Sequence, residues 1–174
     1  SNDGVFTALT GRRAYLRPIV VLALNTGMRR GEILGLEWSN VDLARRLIYV
    51  TNTKSGKDRA IPMNHASYSA LEHLKRVGKR VFNVDWIKVA WAAALRDAKI
   101  EDFRFHDLRH TAATRLADAG TDAFTIAAIL GHSTIQMSAR YTHATDERKR
   151  RAVERMSESQ NLGHIPVTQI EAAS

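Results

Sequence analysis

A mainly helical α+β domain with one small antiparallel sheet is the fold class this sequence predicts, on three observations. Apolar residues recur at helical spacing through most of the chain. One stretch, LIYVTNT from Leu47 to Thr53, is instead rich in β-branched and aromatic residues. The turn-forming Lys54-Ser55-Gly56-Lys57 and the returning Arg59-Ala60-Ile61-Pro62 follow it, so the sheet is expected near residues 43–62. A length of 174 residues, 44% hydrophobic and 25% charged, suits one domain with a sizeable core.

Residues 1–9 read as a short lead-in. Thr10 is a candidate cap for a helix carrying Leu16, Ile19, Val20, Ala23 and Leu24, and Asn25-Thr26-Gly27 reads as the turn after it. In MRRGEILGLEW, Ile33, Leu34 and Leu36 point to the core. Arg29 and Glu32 stand three apart and are neighbours on one face of a helix, most simply as a weak surface ion pair. Asn40-Val41-Asp42 is turn-like. Pro62 fits a strand end or edge, and Lys54 sits at the lip of the hairpin, where a solvated lysine is the plain reading.

Asn64 is a cap for a helix through Val77 that Gly78 ends. Asn83 is a cap for another from Val84 to Ala98, whose Trp86 and Trp91 read as core rather than as a platform for bases. A helix within Phe103–Gly120 follows, with Leu108, Ala112 and Leu116 on its buried face and Gly120 past its end. Thr121 is the expected cap of a short helix ending at Gly131, and Ser133 with Gln136 has capping-box spacing for the next. Thr145 is the expected cap of a last helix, with Asp146 and Glu147 in its first turn and Arg148-Lys149-Arg150-Arg151 behind. Periodicity fades from Ser157.

The chain carries 26 basic against 18 acidic residues, a net charge of +8 and a sequence pI of about 10.2. A pI above about 9 is the electrostatic footprint of a nucleic-acid binder, with plain solubility as the simpler alternative. The absence of cysteine excludes a disulfide framework and cysteine-ligated zinc. No apolar run of about 18 residues and no signal-peptide pattern are read, so a cytoplasmic protein without a membrane partner is expected.

His106 and Arg109 are three apart. On a helix that spacing leaves about 5–6 Å between their Cβ atoms. A guanidinium fork beside an imidazole suits a phosphate: the fork matches its oxygens, and the imidazole adds a donor or moves a proton. Two other readings of this region stay open. LADAGTDAFTIAAILGHST resembles a helix-turn-helix of a non-catalytic DNA-binding module, and His106-Asp107-x-x-His110 imitates a zinc-hydrolase motif with Asp in place of Glu. Arg109 would set a fixed charge beside such a metal, and no third ligand is indicated.

TGMRRGE, TKSGKDRAIP, HDLRHT, LGHS and ARYTH, in this order, resemble the catalytic domain of the tyrosine recombinases, the phage-integrase family, over residues 10 to 157. The resemblance implies the tyrosine recombinase catalytic-domain fold, with a lead-in over 1–9 and a C-terminal tail over 158–174. It implies Arg29 as the first catalytic arginine, Glu32 as its accessory carboxylate and Lys54 as the hairpin lysine. His106 and Arg109 match the His-x-x-Arg pair, His132 the His-or-Trp position, and Tyr141 the nucleophile, nine residues after His132. Arg30-Gly31 departs from the apolar-small pair expected after the first arginine.

The chemistry fits these residue types. Attack on a DNA phosphodiester adds negative charge, which two arginines and donors from His106 and His132 would stabilise. Forming phenolate at pH 7 costs about 4 kcal/mol without help; His106 is the expected acceptor of the phenolic proton. Lys54 is the implied general acid for the leaving 5′-oxygen. The resulting 3′-phosphotyrosine keeps the bond energy for resealing, so no metal or nucleotide cofactor is expected. The implied partners are double-stranded DNA and, in a full-length protein, further copies of the chain as a tetramer on DNA. The family's separate N-terminal DNA-clamping domain is not among these boxes, so the 174 residues are expected to be a catalytic fragment. A type IB topoisomerase shares the tyrosine chemistry and is the nearest alternative.

Overall fold

The computed structural model describes residues 3–51, 58–142 and 146–159. Two compact units partition the chain, Ser1–Thr142 and His143–Ser174. In the first, α2 (Leu16–Thr26) is the central helix. Its sequence LRPIVVLALNT is apolar nearly all round, as a buried helix requires. Leu16, Ile19, Val20, Leu22 and Ala23 are fully buried against α4 (His65–Glu72) and α6 (Asp107–Asp118). Pro18 is tolerated in the first turn, where the missing N–H has no helical acceptor anyway. Gly27 ends α2 in the left-handed conformation at φ 63°, and its N–H bonds Ala23 O at 3.1 Å.

The sheet is antiparallel in the order β1 (Val41–Asp42), β2 (Leu47–Val50), β3 (Arg59–Pro62). Ile48 pairs with Ile61 and, on its other side, with Val41. Ile48, Val50 and Ile61 face the core. Val41 and Asp42 are therefore a third strand rather than the expected turn. The turn lies just beyond, where Asp42 Oδ1 accepts the Arg45 N–H at 2.8 Å and Arg46 takes φ 55°. The tip of the β2–β3 hairpin, with Lys54, lies outside the described residues, as do His143, Thr145 and residues 160–174.

Several boundaries differ from expectation, some for local reasons and some because a remote segment packs there. Residues 3–8 are not merely a lead-in: α1 (Asp3–Ala8) buries Val5, and the chain just past its end buries Leu9, where α1 packs on α5 (Lys88–Asp97). Thr10 makes no side-chain cap; a 3₁₀ turn over Gly11–Arg13, with Gly11 at φ 55°, delays the helix to Leu16. Asn64 caps α4 as expected, its side chain accepting from Ser67 N at 3.0 Å. The helix stops at Glu72, and the chain beyond it returns to residues 36–38, where Arg80 forms a β-bridge with Glu37, with Val81 N on Leu36 O at 2.8 Å and Trp38 N on Lys79 O at 3.0 Å. Asn83 therefore does not cap α5; its amide donates to Val77 O at 3.1 Å. Trp91 is core, meeting Phe105 edge to face with centroids 5.4 Å apart, but Trp86 is 61% exposed under the Arg30 guanidinium.

The small Ala112, Ala113 and Ala117 let α6 lie close to its neighbours. Asp122, not Thr121, caps α7 (Ala123–Leu130), accepting from the Phe124 and Thr125 N–H groups. Ile126 and Leu130 of α7 join Ala113 and Ala117 in a second small core, against which Tyr141 packs. The Ser133–Gln136 box does not form; α8 (Gln136–Ala139) follows Ile135, and Ser133 Oγ turns to Met137 Sδ. The second unit contains α9 (Asp146–Ser159), on which Val153 and Met156 are exposed. No helix among the described residues is long and apolar enough to cross a membrane.

Candidate active site

Arg29 is the residue before α3 (Arg30–Leu34), and Glu32 closes on it from inside the helix. One carboxylate oxygen of Glu32 accepts the Arg29 backbone N–H at 2.8 Å, and the other accepts its guanidinium at 3.0 Å. The expected Arg29–Glu32 pair is thus also a helix cap. The second Arg29 nitrogen donates to Gly131 O at 2.9 Å, across 102 residues of sequence.

Glu32 has a further partner that sequence did not single out. Arg59 of β3 grips the same carboxylate with two nitrogens, at 2.7 and 3.2 Å, and donates from Nε to Ile129 O at 2.9 Å. The Arg59 side chain is 7% exposed. Burial alone pushes the Glu32 carboxyl up, but the hydrogen bonds from Arg59 and Arg29 outweigh it and hold the group below the usual carboxylate range. Gly131 is required here twice over: it ends α7 at φ 69°, and a Cβ on it would stand 2.8 Å from an Arg59 nitrogen.

Arg109 lies in the first turn of α6 and is 5% exposed. Its guanidinium donates to Gly27 O at 2.6 Å, two residues before Arg29. Burial and then the charge of Arg29 lower its pKa to about 10, which leaves it a cation at neutral pH. Gly27 suits this position, because its φ of 63° favours glycine and a Cβ there would press on Leu130 at 3.0 Å.

His132 follows Gly131 and is 9% exposed. Its Nδ1 lies 2.7 Å from the hydroxyl of the fully buried Ser138. Burial, then the charges of Arg109, Arg140 and Arg29, push its pKa down to about 4, so the ring is neutral at pH 7. His106 is the exposed residue that precedes α6. Its pKa is lowered by burial and by His110 and Arg109. Its ring meets that of His110 edge to face, with centroids 4.9 Å apart.

Tyr141 follows α8, its N–H bonding Ser138 O at 3.0 Å. Its hydroxyl is in hydrogen-bond contact with Nδ1 of His110, not with His106, the acceptor expected from sequence. Arg29, Glu32, Arg109 and His132 thus form one linked cluster, and His106 and Tyr141 join it through His110. Lys54 lies outside the described residues. Arg59, Ser138 and His110 are the partners that sequence left without a site role. Arg59 stands within a quoted box, but its partners are remote in sequence; Ser138 carries no local signal at all. Among the described residues no group of three or more His, Asp or Glu is placed to hold a metal ion.

Comparison with known proteins adds four findings. The sequence profile of the phage integrase family matches residues 6–148. The shufflon-specific DNA recombinase of Escherichia coli is 39% identical over 136 residues, which are 76% of this chain and 35% of that protein. The integrase of Salmonella phage P22 is 36% identical over 152 residues, 74% of this chain and 39% of that protein. The chain therefore spans less than half the length of these curated relatives. The catalytic domain of bacteriophage HP1 integrase superposes with a TM-score of 0.75 at 30% identity, covering 94% of this chain and 97% of that one.

Proposed function

This chain belongs to the phage integrase family, and from that premise we propose that it is the strand-transfer domain of a site-specific DNA recombinase. The domain runs over residues 10–157, with α1 packed against it and 158–174 as its tail. Its substrate is double-stranded DNA, handled in the cytoplasm by a tetramer of the full-length protein. The observation that supports this reading best is that both arginines are tethered to backbone beside another candidate residue. Arg29 is tied to the carbonyl before His132, and Arg109 to a carbonyl just before Arg29. The Arg29 guanidinium is thereby held to the segment that carries His132, and the Arg109 guanidinium to the segment that carries Arg29.

In this reading the two guanidiniums and the N–H donors of His106 and His132 hold the non-bridging oxygens of one phosphodiester and stabilise the charge added in the transition state. A neutral His132 that accepts from the Ser138 hydroxyl at Nδ1 carries its hydrogen on Nε2, free to donate to phosphate. Glu32, clamped by Arg59, keeps Arg29 in its rotamer. The Tyr141 oxygen attacks phosphorus, the 5′-oxygen leaves with a proton from Lys54, and a 3′-phosphotyrosine results. A second 5′-hydroxyl reverses the step. The bond energy is conserved, so neither a metal ion nor a nucleotide enters the balance.

The test is a covalent adduct. The full-length protein is incubated with a sequence-randomised pool of nicked duplexes, in which the cleaved strand diffuses away and traps the intermediate. A denaturing gel should show protein-linked DNA, peptide mapping should put the link on Tyr141, and Tyr141→Phe should abolish it. An adduct that persists in Tyr141→Phe would sink the nucleophile; binding with no adduct would make the chain a DNA-binding module only.

A further inference from the structure

The Tyr141 hydroxyl has a partner that the mechanism above leaves without a role. Its oxygen contacts Nδ1 of His110, the residue after Arg109. The two rings are tilted, with centroids 6.1 Å apart. The Arg140 guanidinium lies over the Tyr141 ring, 5.0 Å from its centroid. Resting on the recombinase reading, we propose that His110 is the catalytic base that takes the phenolic proton of Tyr141 as its oxygen attacks phosphorus.

At pH 7 only about one phenol in a thousand is ionised, so fast attack needs an acceptor at the oxygen itself. The titratable and charged groups that act on His110 are Arg140, Asp107, Arg104, Arg109, His106 and His132. Guanidiniums have no acceptor site. The Asp107 carboxylate is occupied by the Arg104 N–H at 2.7 Å and its guanidinium at 3.3 Å. His106 meets the His110 ring edge to face, and His132 has its Nδ1 against Ser138. His110 alone among these groups touches the oxygen. Burial, then Arg140, lowers its pKa, so the ring is uncharged and able to accept at neutral pH. The same Arg140, stacked on the phenol, favours the negative charge that develops there.

The step balances. The Tyr141 O–H bond breaks and its proton binds His110 Nδ1. The O–P bond forms, the bond from phosphorus to the 5′-oxygen breaks, and that oxygen takes a proton from the Lys54 ammonium. On resealing, a 5′-hydroxyl gives its proton back to the Lys54 amine, the tyrosyl O–P bond breaks, and His110 returns its proton to the phenolate.

His110→Asn puts an amide oxygen where Nδ1 stood, which can hold the phenol but cannot take its proton. His110→Ala leaves room for added imidazole. Adduct formation by full-length protein is timed on the nicked-duplex pool, made with a bridging sulfur in place of the 5′-oxygen so that departure needs no acid. Circular dichroism establishes that the variants fold. Both variants should be slower by about 100-fold or more, and imidazole should restore His110→Ala at least tenfold. The wild-type rate should fall only below the ordinary imidazole range, and His110→Asn should lose that inflection. A His110→Asn rate near wild type, no rescue of folded His110→Ala, or a His110→Ala faster than wild type would each overturn the assignment. In those cases the Tyr141-dependent adduct of the wild type leaves the recombinase reading standing. If the wild type forms no adduct, both fall.

Discussion

His132 is a buried imidazole kept neutral, and that makes it a source of pH-dependent stability. Its folded pKa of about 4 lies below the ordinary value of 6.5. Between those values the unfolded chain binds the proton and the folded one does not. The stabilisation is therefore complete above pH 6.5 and is lost as pH falls toward 4, by on the order of 3 kcal/mol. His106 and His110, also lowered, add loss of the same sign. Urea unfolding at pH 7 and pH 4.5 should show the loss, and His132→Gln should shrink it; an unchanged difference in the variant would place the titration elsewhere. At this scale the candidate site was largely legible. Arg29, His106, Arg109, His132 and Tyr141 each fall in a short box whose residue types match phosphate chemistry. The partner of the phenol was not legible, because His106 and His110 are one turn apart and only the path of the chain after α8 decides which meets Tyr141.

Elements were legible where a stop or cap is local. Gly27 and Gly131 end their helices in the left-handed conformation, and Asn64 caps α4. They were not legible where packing decides. Asp3–Ala8 is too short to declare itself as a helix in isolation, yet Val5 and Leu9, four apart, form one apolar face, and that face is buried where α1 meets α5. Leu9→Ala should cost about 2–3 kcal/mol in chemical denaturation, the price of a cavity under a 1%-exposed side chain. A change under about 0.5 kcal/mol is what a mere lead-in would give. Val41–Asp42 makes the same point: two residues read as a turn until β2 offers them hydrogen bonds.

At the scale of the whole first unit, Arg59 joins β3, α3 and α7 through Glu32 and the Ile129 carbonyl. Arg59→Met keeps the bulk but strips Glu32 of its buried partner. It should destabilise by about 3 kcal/mol, since the carboxylate is left with Arg29 alone, and should slow adduct formation by releasing Arg29. Arg59→Lys should rescue little, because a single ammonium cannot serve the carboxylate and the carbonyl together. Denaturation alongside the adduct rate checks both; full rescue by lysine would reduce Arg59 to a point charge.

The short boxes in their order, by themselves, pointed to the family and the fold class and, through that resemblance, to six candidate positions, since each box is spelled by neighbouring residues. Tertiary structure alone decided what holds those positions: Arg59 reaches partners 27 and 70 residues away, and His110 one 31 residues away. Hydrogen bonds over such separations leave no periodic trace in a sequence, because they depend on where the chain returns and not on how it is locally spelled.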